Sequence, residues 1–356
     1  MKNNWMFLFI ALPYFLIAQS LSTKGQLWIG GLNGNNTPAN QPSLEMSIGY
    51  IPTVSFYNDM HNDRLFDVEL AYRVEQYYSG NSLLLYNFEP HRLWMRFSNQ
   101  TIEARLGLQK ITFGPAQMLR SLSWFDSFDM KDPTGQTDGV DALRLQWFPS
   151  NSFAIWSWIV RNEQGVVSYG GRGEFSTHIG EWGITVHHDP TDTLQMIGQT
   201  GTWFDQRHNR MALDFRYDGI IGLWNENALI FSKGKNIMLV TIGADFTLPV
   251  ASGILIMTES ILTNSSNKNS DRVYTAFMAS MPLGMIHQVM FIAQLDWKEE
   301  KKYNYLRWSA TYDRYSLNFI ASISPKRSAY KAIDYLLPKT AAGFGTNFQL
   351  MFIYNY

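Results

Sequence analysis

Six arginines draw attention by type and spacing: Arg92 and Arg96 in HRLWMRF, Arg105 in EARLGLQ, Arg144 in DALRLQW, and Arg210 and Arg216 in RMALDFR. A guanidinium stays charged and binds carboxylate or phosphate through a planar fork. Arrayed on one wall of a narrow channel, such groups enrich anions, because low-dielectric walls focus the field. The same arginines could instead brace a wall. Asp67, Glu69, Glu75, Glu103 and Asp214 fall on the faces that carry them, and paired charges can serve structure alone. Both uses remain open on residue type.

Other groupings carry less chemistry. Asp126, Asp129 and Asp132 recur every third residue, which is not the alternate-residue pattern of a calcium loop with its turn glycine and distal glutamate. His187 and His188 are adjacent; on a strand they point to opposite faces and cannot easily share a metal. Gly170-Gly171-Arg172-Gly173 lies in an alternating region with no helix to follow, so it marks curvature rather than a phosphate loop. Ser and His are present, but no spacing singles out a catalytic pair. The chain has no cysteine, which excludes a disulfide scaffold and Cys-ligated zinc. No metal or cofactor is expected.

The elements that must position these residues show a period of two. In RLFDVELAYRVEQYY, Phe66, Val68, Leu70, Tyr72 and Val74 share one face, and Asp67, Glu69, Arg73 and Glu75 the other. The split recurs in TIEARLGLQ, RHNRMALDFRY, NIMLVTIGADFTL, NYLRWSATY and the final NFQLMFIYNY. Each such strand has one greasy wall and one charged wall. The strands run to roughly ten residues, the length a tilted membrane-spanning strand needs. Charged residues make up 17% and aromatic residues 15% of the 356 residues, against about 25% charged in soluble domains. A formal net charge of −1 gives no pull toward nucleic acid. Residues 1–20, MKNNWMFLFIALPYFLIAQS, have the charged start, apolar run and small-residue end of an export signal peptide.

These features point to an all-β protein: a single antiparallel transmembrane β-barrel of about 16–18 strands over residues 21–356. Its last strand should pair with the first around Gln26–Leu32. That would place Phe352, Tyr354 and Tyr356 on the lipid face, with Tyr356 at the interface. A final aromatic of this kind resembles the signal read by the outer-membrane barrel assembly machinery.

One segment breaks the alternation. GPAQMLRSLSWFDSFDMKDPTGQTD, residues 114–138, is too long for a default connection and too apolar for a surface loop. It mixes Met118, Leu119, Leu122, Trp124, Phe125 and Phe128 with Arg120, Asp126, Asp129, Lys131 and Asp132. Its natural partner is the barrel's inner wall, which makes it a candidate constriction loop around Arg120, Trp124, Asp126, Asp129 and Asp132. Arg105-Leu106-Gly107-Leu108-Gln109 before it and Asp138-Gly139-Val140-Asp141-Ala142-Leu143-Arg144 after it resemble a segment of porin-like outer-membrane barrels, in the alginate-export-like and phosphate-selective-like group. The resemblance covers about 45 residues. It departs at Leu108-Gln109-Lys110, where many relatives carry another arginine. It implies a Gram-negative envelope of Bacteroidetes type, and passage of a small polar or anionic solute, or export of an anionic polymer.

The resulting expectation is a non-enzymatic outer-membrane channel with an arginine-lined lumen narrowed by an inward loop. Its partners would be outer-membrane lipid and lipopolysaccharide, the assembly machinery, and the solute. An enzyme barrel acting on lipid at the rim, and a plugged structural or secretion-associated barrel, are the alternatives. Oligomeric state is not legible.

Overall fold

The structure is a computed structural model that describes residues 20–60, 63–197, 202–266, 271–330 and 337–356. The export signal therefore lies almost wholly outside the described residues. In chain order the first strands are β1 (Ser20–Gly34), β2 (Leu44–Asp59), β3 (Leu65–Ser79), β4 (Ser82–Ser98) and β5 (Ile102–Gln109). Then come β6 (Val140–Ser150), β7 (Phe153–Arg161), β8 (Val167–Thr177), β9 (Gly180–Asp189), β10 (Gln195–Ile197) and β11 (Thr202–Phe204). Next are β12 (His208–Tyr217), β13 (Gly222–Ser232), β14 (Lys235–Leu248), β15 (Ile254–Ser265) and β16 (Arg272–Leu283). The last are β17 (His287–Asp296), β18 (Lys301–Thr311), β19 (Tyr315–Ile323) and β20 (Thr346–Asn355).

Eighteen strands form one closed antiparallel barrel; β10 and β11 make a separate hairpin between β9 and β12. Closure comes from β20 on β1, in register from Gln26 opposite Asn355 to Gly34 opposite Asn347. Closure leaves no edge of the eighteen-stranded sheet unpaired, as a spanning sheet requires in lipid. Tyr356 continues that ladder by exchanging backbone hydrogen bonds with Gly25, both 3.1 Å. Its hydroxyl sits 2.5 Å from that of Tyr50.

The period-two pattern sets which wall faces where. Leu70, Tyr72, Leu93, Met95, Leu213 and Leu350 are exposed on the outside, while their neighbours in sequence, Ala71, Asp214 and Met351, are buried inside. An apolar exterior this continuous belongs in hydrocarbon, not water. Outward aromatics gather where the strands end. Trp147, Phe153, Tyr217, Tyr315 and Tyr356 ring the end where β1 begins and β20 stops, the terminal end, and Trp182 is sandwiched there between Phe175 and Phe215. Such girdles mark membrane interfaces. No helix among the described residues is long and apolar enough to cross a membrane.

The two ends differ. At the terminal end the connections are short, such as 151–152 and 312–314. The opposite end carries the long connections 35–43, 110–139, 190–207 and 324–345. Interior glycines make room for flat-lying rings. A Cβ at Gly49 would run into the Trp28 indole, and one at Gly243 into that of Trp224.

Candidate functional site: the lumen

Strand register brings three of the arginines into one row. Arg96 on β4 lies opposite Arg105 on β5, which lies opposite Arg144 on β6; Asp67 on β3 faces Arg96 from the other side. Like charges directly opposite one another repel, and Glu103 offsets this. It lies 3.3 Å from Arg96, 3.2 Å from Arg105 and 2.5 Å from Arg144. Asp67 takes the fork of Arg96 through Nε and Nη2, at 2.8 and 2.7 Å. Arg105 and Arg144 also lie over the rings of Trp94 and Trp156, at 4.4 and 5.5 Å. Three guanidinium groups thus share two carboxylates, and the row keeps one positive charge. The Nε atoms of Arg105 and Arg144 are buried without a hydrogen-bond partner among the described residues.

The remaining three arginines are dispersed. Arg92 donates to the carbonyls of His91 and Thr137, at 2.6 and 2.7 Å. Arg210 bonds Asp189 at 2.8 Å and His208 at 3.1 Å, beneath the Trp124 ring. Arg216 pairs with Asp218 at 2.9 Å, outside the row. An arginine from the glycine patch proves as engaged as any of these. Arg172 takes Asp214 in a fork at 2.6 and 2.9 Å and Glu174 at 2.7 Å. Its space exists because Gly183 has no side chain.

The irregular segment begins earlier than the alternation suggests. β5 stops at Gln109, whose side-chain amide turns back to the carbonyls of Arg105, Gly107 and Ala142. From there the chain enters the lumen. Ile111 and Phe113 bury with Leu122, Trp124 and Phe125 against Trp158, Val160, Ile230 and Leu239 of the inner wall. Burial of these side chains outweighs further strand pairing.

Two carboxylates on the far wall hold the segment's backbone. Glu226 on β13 accepts from the amides of Ala116 at 2.9 Å and Leu122 at 3.0 Å. Glu259 on β15 accepts from Gln117 at 2.7 Å, Met118 at 2.8 Å and Leu119 at 2.6 Å, and from the Trp224 indole at 3.1 Å. Successive N–H groups converging in this way make an anion-binding concavity; here the protein's own side chain fills it. Both carboxylates are fully buried, and among the described residues neither has a cation within ion-pair distance. N–H donors to a charged acceptor are worth about 1.5–3 kcal/mol each, enough to keep such carboxylates in place.

Among the expected loop residues, Arg120 and Asp126 form a buried ion pair within the loop's own fold, with Arg120 Nη1 donating to both carboxylate oxygens at 2.7 and 3.0 Å. Trp124 packs edge-on to Phe113. Asp129 and Asp132 cap turns by accepting from the amides of Lys131 and Thr134. The second half of the segment continues round the wall. Tyr305 donates to the carbonyl of Lys131, Gln26 to that of Thr134, and Gln136 meets both Gln26 and His91. Arg73 closes the circuit on Asp138 at 2.9 Å.

Cavities lie on both sides of this segment. One of about 840 Å³ opens near the terminal-end turns, beside Asn151, Glu174, Trp182 and Arg216. A second, of about 310 Å³, also faces the terminal end and is lined by Lys24, Glu69, His91 and Arg92. A third, of about 610 Å³, lies toward the loop-rich end, against β16–β20. His187 is buried with Trp158, while His188 faces out beside Asn209. His208 approaches Asp189 at 3.8 Å, but its Nε2 is taken by Arg210. No group of metal ligands occurs among the described residues.

Glu226 and Glu259 escape the sequence reading because each is the single acid on its strand. The available signal was a strand with apolar residues on both faces, such as ILIMTESIL of β15. Inward Met257 and Ile261 make sense only if something apolar packs inside.

No protein-family model matches the chain, and no curated protein matches it by sequence. Solved structures do match it. OccAB1 of Acinetobacter baumannii is 7% identical, with a TM-score of 0.62 over 96% of this chain and 97% of that one. OccD3 of Pseudomonas aeruginosa is 8% identical, with a TM-score of 0.60 over 96% and 92%. Wzi of Escherichia coli, described as a carbohydrate-binding β-barrel involved in group 1 capsule assembly, is 11% identical, with a TM-score of 0.59 over 99% and 89%. The chain has the fold of these bacterial outer-membrane barrels.

Proposed function

We propose that the protein is an outer-membrane channel of a Gram-negative cell, passing small polar solutes and preferring anions to cations. The observation that carries this reading is a closed wall, apolar outside and lined with ion pairs inside, with cavities on either side of the lumen segment. The apolar band faces lipid, and the loop-rich end faces outward to lipopolysaccharide, as longer loops do in such barrels. The segment 110–139 narrows the passage. The anion preference comes from the row Arg96–Arg105–Arg144 with its unbalanced positive charge, and from Arg92 on the 310 Å³ cavity. Net charge on the wall of a confined aqueous space sets ion preference even when it is modest. The outward aromatics Phe352, Tyr354 and Tyr356 on the closing strand serve assembly.

The test is the reversal potential of purified protein in a planar bilayer across a salt gradient. The wild type should lie on the anion side. Arg105→Glu with Arg144→Glu should move it to the cation side. Unchanged selectivity in the single and double variants would refute the arginine path.

A second reading, a plugged barrel, rests on the aromatic core that fills the lumen against β7–β14. A correctly inserted protein that carries no current would favour it.

A further inference from the structure

The cavity toward the loop-rich end has a lining unlike the arginine row. Tyr77, Tyr274, Tyr303 and Tyr305 line it, and each phenol is tied at its tip. Tyr77 donates to Glu75 at 2.8 Å, and Tyr305 to the carbonyl of Lys131 at 2.6 Å. Tyr274 accepts from Arg272 at 3.1 Å, and Tyr303 meets Tyr330 at 3.1 Å. With the hydroxyls engaged, the rings offer the cavity their apolar bodies in fixed positions.

Between the rings stand uncharged polar groups. Gln294, Ser322 and Gln349 line the cavity, and none of their side chains hydrogen-bonds to a described residue. An amide supplies donors and an acceptor, and a hydroxyl supplies both. Asp129 and Asp132 add carboxylate oxygens, and Lys131 is the one cation among the described lining residues. No arginine fork is present, so the cavity is a poor match for phosphate or carboxylate. It suits a ligand with apolar ring faces and many hydroxyls, which donate to the aspartates and exchange bonds with the amides.

We infer that this cavity binds a neutral polyhydroxylated solute, a short saccharide, at the mouth of the channel. A volume of about 610 Å³ equals the share of roughly twenty water molecules, which is room for a short oligosaccharide. The inference rests on the channel reading for its consequence, since it names what the mouth selects. Binding itself needs no conduction.

The experiment is calorimetric titration of the folded, detergent-solubilised full chain with maltotriose, and with inorganic phosphate as an anionic probe. It is paired with current recordings carrying maltotriose on either side of a bilayer. Maltotriose should bind and phosphate should not. Gln294→Ala should weaken binding about three- to tenfold, the value of one neutral hydrogen bond, and Tyr303→Ala by a similar factor. Glu174→Gln, on the 840 Å³ cavity, should leave binding unchanged. No heat with maltotriose up to its solubility limit overturns the inference, as does binding that both vestibule variants leave intact. Current without saccharide binding would sink the site and spare the channel. Binding without current would do the reverse.

Discussion

Replacing Glu259 by Gln should loosen the lumen segment without opening the barrel. The carboxylate accepts four N–H donors, two on each oxygen. An amide keeps one acceptor oxygen and presents its own N–H₂ to the other two donors. At about 1.5–3 kcal/mol for a hydrogen bond to a charged group, losing two costs the closed segment about 3–6 kcal/mol. The lower figure corresponds to roughly a hundredfold rise in the opened population. Absence of cysteine from the chain makes this measurable. Ser121 is buried against Thr241, so Ser121→Cys gives a single thiol that a polar maleimide reaches only when the segment lifts. The labelling rate should rise about a hundredfold when Glu259→Gln is added, by two decades of free energy at about 1.4 kcal/mol each. Glu226 holds two amides rather than four donors, so Glu226→Gln should raise the rate by only about tenfold, the loss of a single bond. Equal labelling in all three backgrounds, with heat-modifiable barrels throughout, would refute the anchoring role of these carboxylates.

Asp67→Asn removes one of the two carboxylates of the arginine row and should strengthen anion selectivity, opposite in sign to Arg105→Glu; the reversal potential reads both. Gly243→Val drives a side chain into the Trp224 indole and should destabilise the fold by about 1–3 kcal/mol, seen as a lower denaturant midpoint. Tyr356→Ala loses the Tyr50 contact and the ring that stacks on Tyr354; the folded fraction recovered in lipid should fall, by heat-modifiability on a gel.

Much of the architecture is legible because a membrane barrel writes its two faces at a fixed period. Phe66 to Val74 and Phe348 to Tyr356 declare their lipid side without help from distant sequence. Closure was legible too, since the final alternation needs a partner and β1 supplies it. The lumen is harder to read. An inward residue's role depends on what lies across the barrel, and that distance is not encoded in neighbouring positions. Arg96, Arg105 and Arg144 were recognisable as inward charges, but their alignment in one row depends on register across three strands. Arg120 and Asp126 read as constriction-loop residues; the fold pairs them with each other, because a buried charge requires a partner. Tyr274, Tyr303 and Gln294 went unremarked, since single polar residues on alternating strands look like ordinary lumen wall.

Solute is proposed to pass the segment held by Glu226 and Glu259. Single-channel current of the refolded protein in a planar bilayer under a salt gradient tests it most directly. Steady conductance with a reversal potential on the anion side is the expected result. A fully inserted, heat-modifiable barrel that stays silent would contradict it.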